Sequence, residues 1–70
     1  MTDEGEMKEL TGKKIYVELI SGRKYTGIIT SVFAGYVHII DKYDNFVMFS
    51  IEEIKLLEEK SDEDDYFRKS

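Results

Sequence analysis

No cysteine, no proline and a single histidine occur in these 70 residues. Without cysteine, neither a disulfide framework nor a thiolate metal site can form. No apolar run approaches the roughly 20 residues of a membrane-spanning helix. The N-terminus also shows no hydrophobic stretch of a signal peptide, so the expectation is a soluble, cytoplasmic protein with no membrane partner. One histidine and no thiol leave no recognisable nucleophile–histidine–carboxylate order. Hydrolytic or metal chemistry would therefore fall to carboxylates alone, and the pattern buries no pair of them. Gly22 and Gly27 flank a strand turn with no Lys-Ser/Thr after it, which dismisses a phosphate loop. The sequence points away from an enzyme, and no cofactor, metal or small-molecule substrate is expected.

Negative charge is present but unevenly placed. The net value is −5. Residues 1–10 set Asp3, Glu4, Glu6 and Glu9 against Lys8, which is −3; residues 58–70 also sum to −3; residues 11–57 sum to +1. The body of the chain is close to neutral between two acidic ends. Such a body opposes strong backbone binding to nucleic acid, which depends on neutralising many phosphates.

A chain of this length forms one domain at most, and a small one needs a compact barrel, tight helix packing or self-association. Residues 1–10 read as a charged arm or short helix, with Met7 and Leu10 as its apolar contacts. Period-two alternation then begins in KKIYVELI, where Ile15, Val17 and Leu19 share one face. A Ser21–Gly22 turn leads to YTGIITSVF, in which Gly27 marks a bend, a bulge or a close backbone approach. Ala34–Gly35 is a tight turn before YVHII, and Asp41–Asn45 is a polar loop before FVMFSI. Ser50 and Glu53 have capping-box spacing, which predicts one helical turn. IKLLEE is a fifth strand. Residues 60–70 are too polar to bury and form an acidic tail.

Five short strands with tight turns describe an all-β fold with a short N-terminal helix: a strongly bent, five-stranded antiparallel barrel over residues 11–59. The expected core is Ile15, Val17, Leu19, Ile29, Val37, Ile39, Val47 and Phe49. Tyr16, Ile20, Ile28, Ile40, Phe46, Met48 and Leu57 are left facing outward, a large apolar allotment that suggests an interface. In the tail, Asp62-Glu63-Asp64-Asp65 lacks the glycine and terminal glutamate of a calcium loop and reads as solvated. Tyr66 and Phe67 beyond it are candidates for docking on a neighbouring subunit or partner.

LTGKKIYVELISGRKYTGIITSVFAGYVHIID resembles the first motif of the Sm-like (LSm) proteins. Gly12–Lys13, Val17, Leu19, Gly22–Arg23, Tyr25, Gly27 and Ile29 sit at that motif's spacings. The resemblance implies an N-terminal helix on a bent five-stranded barrel, assembled as a homo-oligomeric hexamer or heptamer ring. It further implies that the fourth strand of one subunit pairs with the fifth strand of the next. Phe46, Met48 and Leu57 are placed at that joint.

The nucleotide-contacting half of the motif departs from the family. Without a gap, its aspartate, stacking aromatic and asparagine fall on Phe33, Gly35 and Val37. One extra residue, a bulge in the second strand, instead makes Tyr36 the stacking residue and puts His38 in place of the base-reading asparagine. That register keeps Val37 and Ile39 on the buried face. The aspartate is lost to Ala34 here too. The family's Arg-Gly between the last two strands is replaced by Phe49-Ser50-Ile51. Tyr36 and His38, with Arg23 and Lys24 as phosphate contacts, form the candidate RNA site, and weak single-stranded RNA binding is the expected function. The competing reading is a protein-interaction or assembly module that kept the barrel and lost the RNA site.

Overall fold

A computed structural model describes residues 3–60. The chain runs α1 (Glu4–Glu9), β1 (Lys14–Leu19), β2 (Lys24–Phe33), β3 (Tyr36–Asp41), β4 (Phe46–Ser50), a 3-10 turn (Ile51–Glu53) and β5 (Ile54–Glu59). All strands join one antiparallel sheet in the order β4-β3-β2-β1-β5. The fold is all-β and barrel-like, with one short N-terminal helix. No helix among the described residues is long and apolar enough to cross a membrane. From residue 61 onward the expected acidic tail lies outside the described residues.

The inward face of the sheet carries the core: Ile15, Val17, Leu19, Ile29, Val37, Ile39 and Phe49 are buried, as alternation requires. Val47, expected among them, is only half-buried and packs against the cluster from edge strand β4. Two residues outside the expected core join it, Met7 and Val32. Met7 is fully enclosed, so α1 covers the core rather than standing off as an arm. The helix is started by Asp3, whose carboxylate accepts the Glu6 N–H at 2.8 Å.

Val32 is buried because β2 contains one residue more than its partner. Ile29 pairs with Ile39 but Ser31 pairs with His38, which leaves Thr30 unmatched. That extra residue reverses the phase of the strand's last three residues, so Val32 turns inward and Phe33 outward.

The same device corrects the outward assignment of Leu57. Leu19 pairs with Ile54 and Glu18 with Leu56, so Lys55 is the extra residue of β5. Leu57 then sits opposite Val17 and packs against the core, while Leu56 is the exposed leucine.

Two turns shape the sheet's ends. Ala34 and Gly35 both have positive φ, 54° and 83°, the geometry of a two-residue hairpin turn that matches the strand twist. The β3–β4 loop is built on Asp41, whose Oδ1 accepts N–H groups from Tyr43 at 2.8 Å and Asn45 at 2.9 Å. The bond from the Asn45 amide is the chief reason that the Asp41 carboxyl is held below its ordinary 3.8. Its native state thus favours the ionised form. That contribution is complete above the ordinary value and is lost as pH falls through the lower native one. Between about pH 5 and pH 2 the melting temperature should fall less steeply in Asp41→Ala than in the wild type. Parallel thermal melts would check this, and superimposable acid limbs would remove Asp41 from the account.

Gly27 sits where the backbone of β3 lies against β2 with no room for a side chain. A Cβ there would land on the Ile40 carbonyl oxygen and lie 2.8 Å from the Asp41 Cα, both rigid backbone. Gly27→Ala should therefore destabilise the fold by about 3 kcal/mol, at the upper end for overpacking. A domain of this size has a total stability of about 5 kcal/mol, so chemical denaturation should show a mostly lost transition. A stability equal to wild type would mean the strands can separate at no cost.

Candidate nucleic-acid interface

β3 lies between β2 and β4, so its outward residues Tyr36, His38 and Ile40 each have a neighbour on both sides. Tyr36 stands opposite Phe33 and Ser50, His38 opposite Ser31 and Met48, and Ile40 opposite Ile28 and Phe46. Directly opposed Cβ atoms are about 5 Å apart, near enough for side chains to touch. Tyr36 and His38 therefore do share a face, as the i, i+2 spacing predicts. Their exposure differs: Tyr36 is 45% exposed, whereas His38 is half-buried between its two neighbours. The backbone carbonyl of His38 accepts the Thr30 hydroxyl at 3.2 Å, so the unmatched residue of β2 is tied to this position.

Phe33 is not among the expected site residues, yet it is 74% exposed and paired with Tyr36. Simple alternation along YTGIITSVF places it on the face of Ile29, which hides it. Only the added residue at Thr30 brings it beside Tyr36. Together the two rings offer an aromatic surface at the β2–β3 turn. An aromatic face holds an unpaired base by stacking, worth about 1–3 kcal/mol per base.

Beside Tyr36 an open cavity of about 420 Å³ is lined by Glu4, Ala34, Gly35, Ser50, Ile51 and Glu52. The Gly35 N–H donates to Glu4 Oε1 at 3.1 Å, and its carbonyl accepts the Ile51 N–H at 2.9 Å. The turn is thus held by the start of α1 on one side and by the 3-10 turn on the other. Lys8 Nζ lies 3.6 Å from Glu4 Oε2. Two carboxylates, Glu4 and Glu52, line this cavity and disfavour a phosphate there.

Arg23 and Lys24 are not brought to this place. Lys24 pairs with Glu18 at the start of β2, and Phe33 ends the same strand. Nine residues of strand contour separate them, at most about 30 Å at 3.3 Å per residue.

On the outward face of β4, Phe46 is 85% and Met48 58% exposed. β4 and β5 are the two ends of the sheet order, so each presents a ladder edge. Among the described residues, no group of three or more histidine and acidic side chains is placed to hold a metal ion.

Compared with protein-family models, with curated proteins and with solved structures, the chain matches none of them.

Proposed function

We propose that this chain is a non-enzymatic Sm-like module that self-assembles through its two sheet edges and binds single-stranded RNA weakly. The observation that carries the assembly is the pair of open edges, β4 and β5, with Phe46 and Met48 exposed on the first and Leu56 on the second. An open, apolar edge invites strand pairing with another copy. Joining β4 of one subunit to β5 of the next is a head-to-tail contact, which closes into a ring when the rotation permits. The family resemblance carries the expected size, a hexamer or heptamer.

RNA binding is supported by the Phe33–Tyr36 pair, since stacking needs exposed rings and little else. Glu4 and Glu52 beside Tyr36 limit the affinity of a single site. A ring repeats that site, and several weak contacts then act on one strand. His38 supplies an edge-reading group two residues along the same face. The same carboxylates, with Arg23 and Lys24 remote, favour the second reading: an assembly module that binds protein alone.

Two measurements test the proposal, the first its assembly and the second which reading holds. Light scattering should give a hexamer or heptamer for the wild type and a monomer for the Phe46→Glu, Met48→Glu double variant, with unchanged circular dichroism. A monomeric wild type ends the ring proposal. Titration with short oligo-uridine at low salt should show weak binding, reduced about tenfold in Tyr36→Ala and in Phe33→Ala, within the stacking range. No binding, or equal binding by wild type and both variants, leaves the assembly module alone.

A further inference from the structure

The 3-10 turn after β4 carries two adjacent glutamates, and the fold uses only one of them. Glu53 reaches back to the start of its own turn, where its Oε1 accepts the Ser50 N–H at 3.1 Å. Glu52 is exposed and has no hydrogen bond or ion pair among the described residues. An exposed glutamate in such a turn needs no ligand to explain it. What sets Glu52 apart is its place, on the lining of the open cavity of about 420 Å³ that Tyr36 also lines.

Backbone bonds hold that placement. Ser50, two residues before Glu52, is the ladder partner of Tyr36, and the Ile51 N–H donates to the Gly35 carbonyl at 2.9 Å. The chain just before Glu52 is therefore fastened to the chain at Tyr36. Glu4, the other carboxylate of the lining, already has partners. Its Oε1 accepts the Gly35 N–H, and its Oε2 lies 3.6 Å from Lys8 Nζ. Glu52 alone offers this cavity a carboxylate with both oxygens open. Such a group is an acceptor only, with its two oxygens side by side. It suits a planar ligand that stacks on Tyr36 and turns two adjacent N–H donors toward the cavity.

The four RNA bases differ on that edge. Guanine presents N1–H and its N2 amino group next to each other. Uracil has one N–H between two carbonyl oxygens, which a carboxylate repels. Adenine and cytosine each set an amino group beside an unprotonated ring nitrogen. Only guanine meets both carboxylate oxygens at once, and charge-assisted bidentate bonds are strong and directional. The same negative charge that disfavours a phosphate here favours this edge of a base.

We propose that Glu52 makes the Tyr36 site selective for guanine in single-stranded RNA, its carboxylate accepting N1–H and N2–H of a base stacked on the ring. The inference rests on the RNA-binding reading above and adds to it the base that is preferred. Stacking on Phe33 and Tyr36 supplies the sequence-tolerant part of the affinity. Glu52 supplies the discrimination.

The test uses the full chain and fluorescence polarisation at low salt, with labelled oligo-uridines that differ at one central base. That base is guanosine, adenosine or inosine, which keeps N1–H but lacks the N2 amino group. All are purines and stack alike, so the guanosine-to-adenosine ratio reports the edge. Wild type should bind the guanosine oligomer about tenfold more tightly than the adenosine one, the size of one bidentate pair, with inosine between. Glu52→Gln should lower that ratio to one or below, because an amide pairs one donor with one acceptor, which suits adenine. Equal binding of guanosine and adenosine by wild type overturns the selectivity and leaves the RNA reading standing. A guanosine preference that persists in Glu52→Gln overturns Glu52 as its source. No binding of any oligomer ends the RNA reading, and this inference with it.

Discussion

Thr30 has no partner across the β2–β3 ladder, and the rest of the molecule is arranged around that fact. A strand of ten residues, β2 faces the core with Gly27 and Ile29 in its first half and with Val32 in its second. Strict alternation cannot deliver that set, because Ile29 and Val32 are three apart. The extra residue switches the phase and bends the strand, since a bulge increases local twist. Both halves of β2 thereby contribute to one interior. On the outside the same switch delivers Phe33 next to Tyr36 and fastens the Thr30 hydroxyl to the His38 carbonyl. Core and candidate site share a single cause.

Gly27 and Met7 close what the bulge opens. At Gly27 the backbones of β2 and β3 approach so tightly that no side chain fits. Met7, fully buried, lets α1 cover the core, and a long flexible side chain suits an irregular gap. The helix that carries Met7 also carries Glu4, whose carboxylate holds the Gly35 amide in the β2–β3 turn. Helix docking and turn geometry are therefore coupled. Ala34 in that turn adopts φ 54° without the freedom of glycine, a conformation that costs a free-standing L-residue about 1–2 kcal/mol. The anchoring of Gly35 from two sides offsets that strain where the proposed stacking surface begins.

Strand positions are legible in the sequence because β-branched residues alternate over β1 and β3, and a one-residue error there would expose Ile15 or Val37. Bulges are harder to see. The extra residue in β2 is signalled only by the Sm-like resemblance and by the need to keep Val37 and Ile39 inside. Lys55 gives no such warning, and so alternation alone exchanges Leu56 and Leu57 between surface and core. Phe33 is hidden for the related reason that its face depends on the bulge and not on its own neighbours. Phase alone places Val47 in the core, yet an edge strand has a covering neighbour on only one side. Arg23 and Lys24 illustrate a different gap: they stand at the opposite end of β2 from Phe33, and nearness in sequence to the site says nothing of nearness in space.

Charge decides how far a nucleic-acid reading extends. Phosphate-driven binding requires clustered cations, and Lys14 and Lys42 line a cavity that does not include the aromatic turn. At that turn Glu4 and Glu52 line the cavity, Glu4 with Lys8 beside it. Stacking surface and positive charge are thus held on different parts of the sheet. In the proposed reading a single chain stacks a base without neutralising its phosphate, which makes one site weak. Affinity then depends on how many copies of the Phe33–Tyr36 pair act together. In the proposed assembly that number is set by the two open sheet edges, so assembly comes before RNA binding in physical importance.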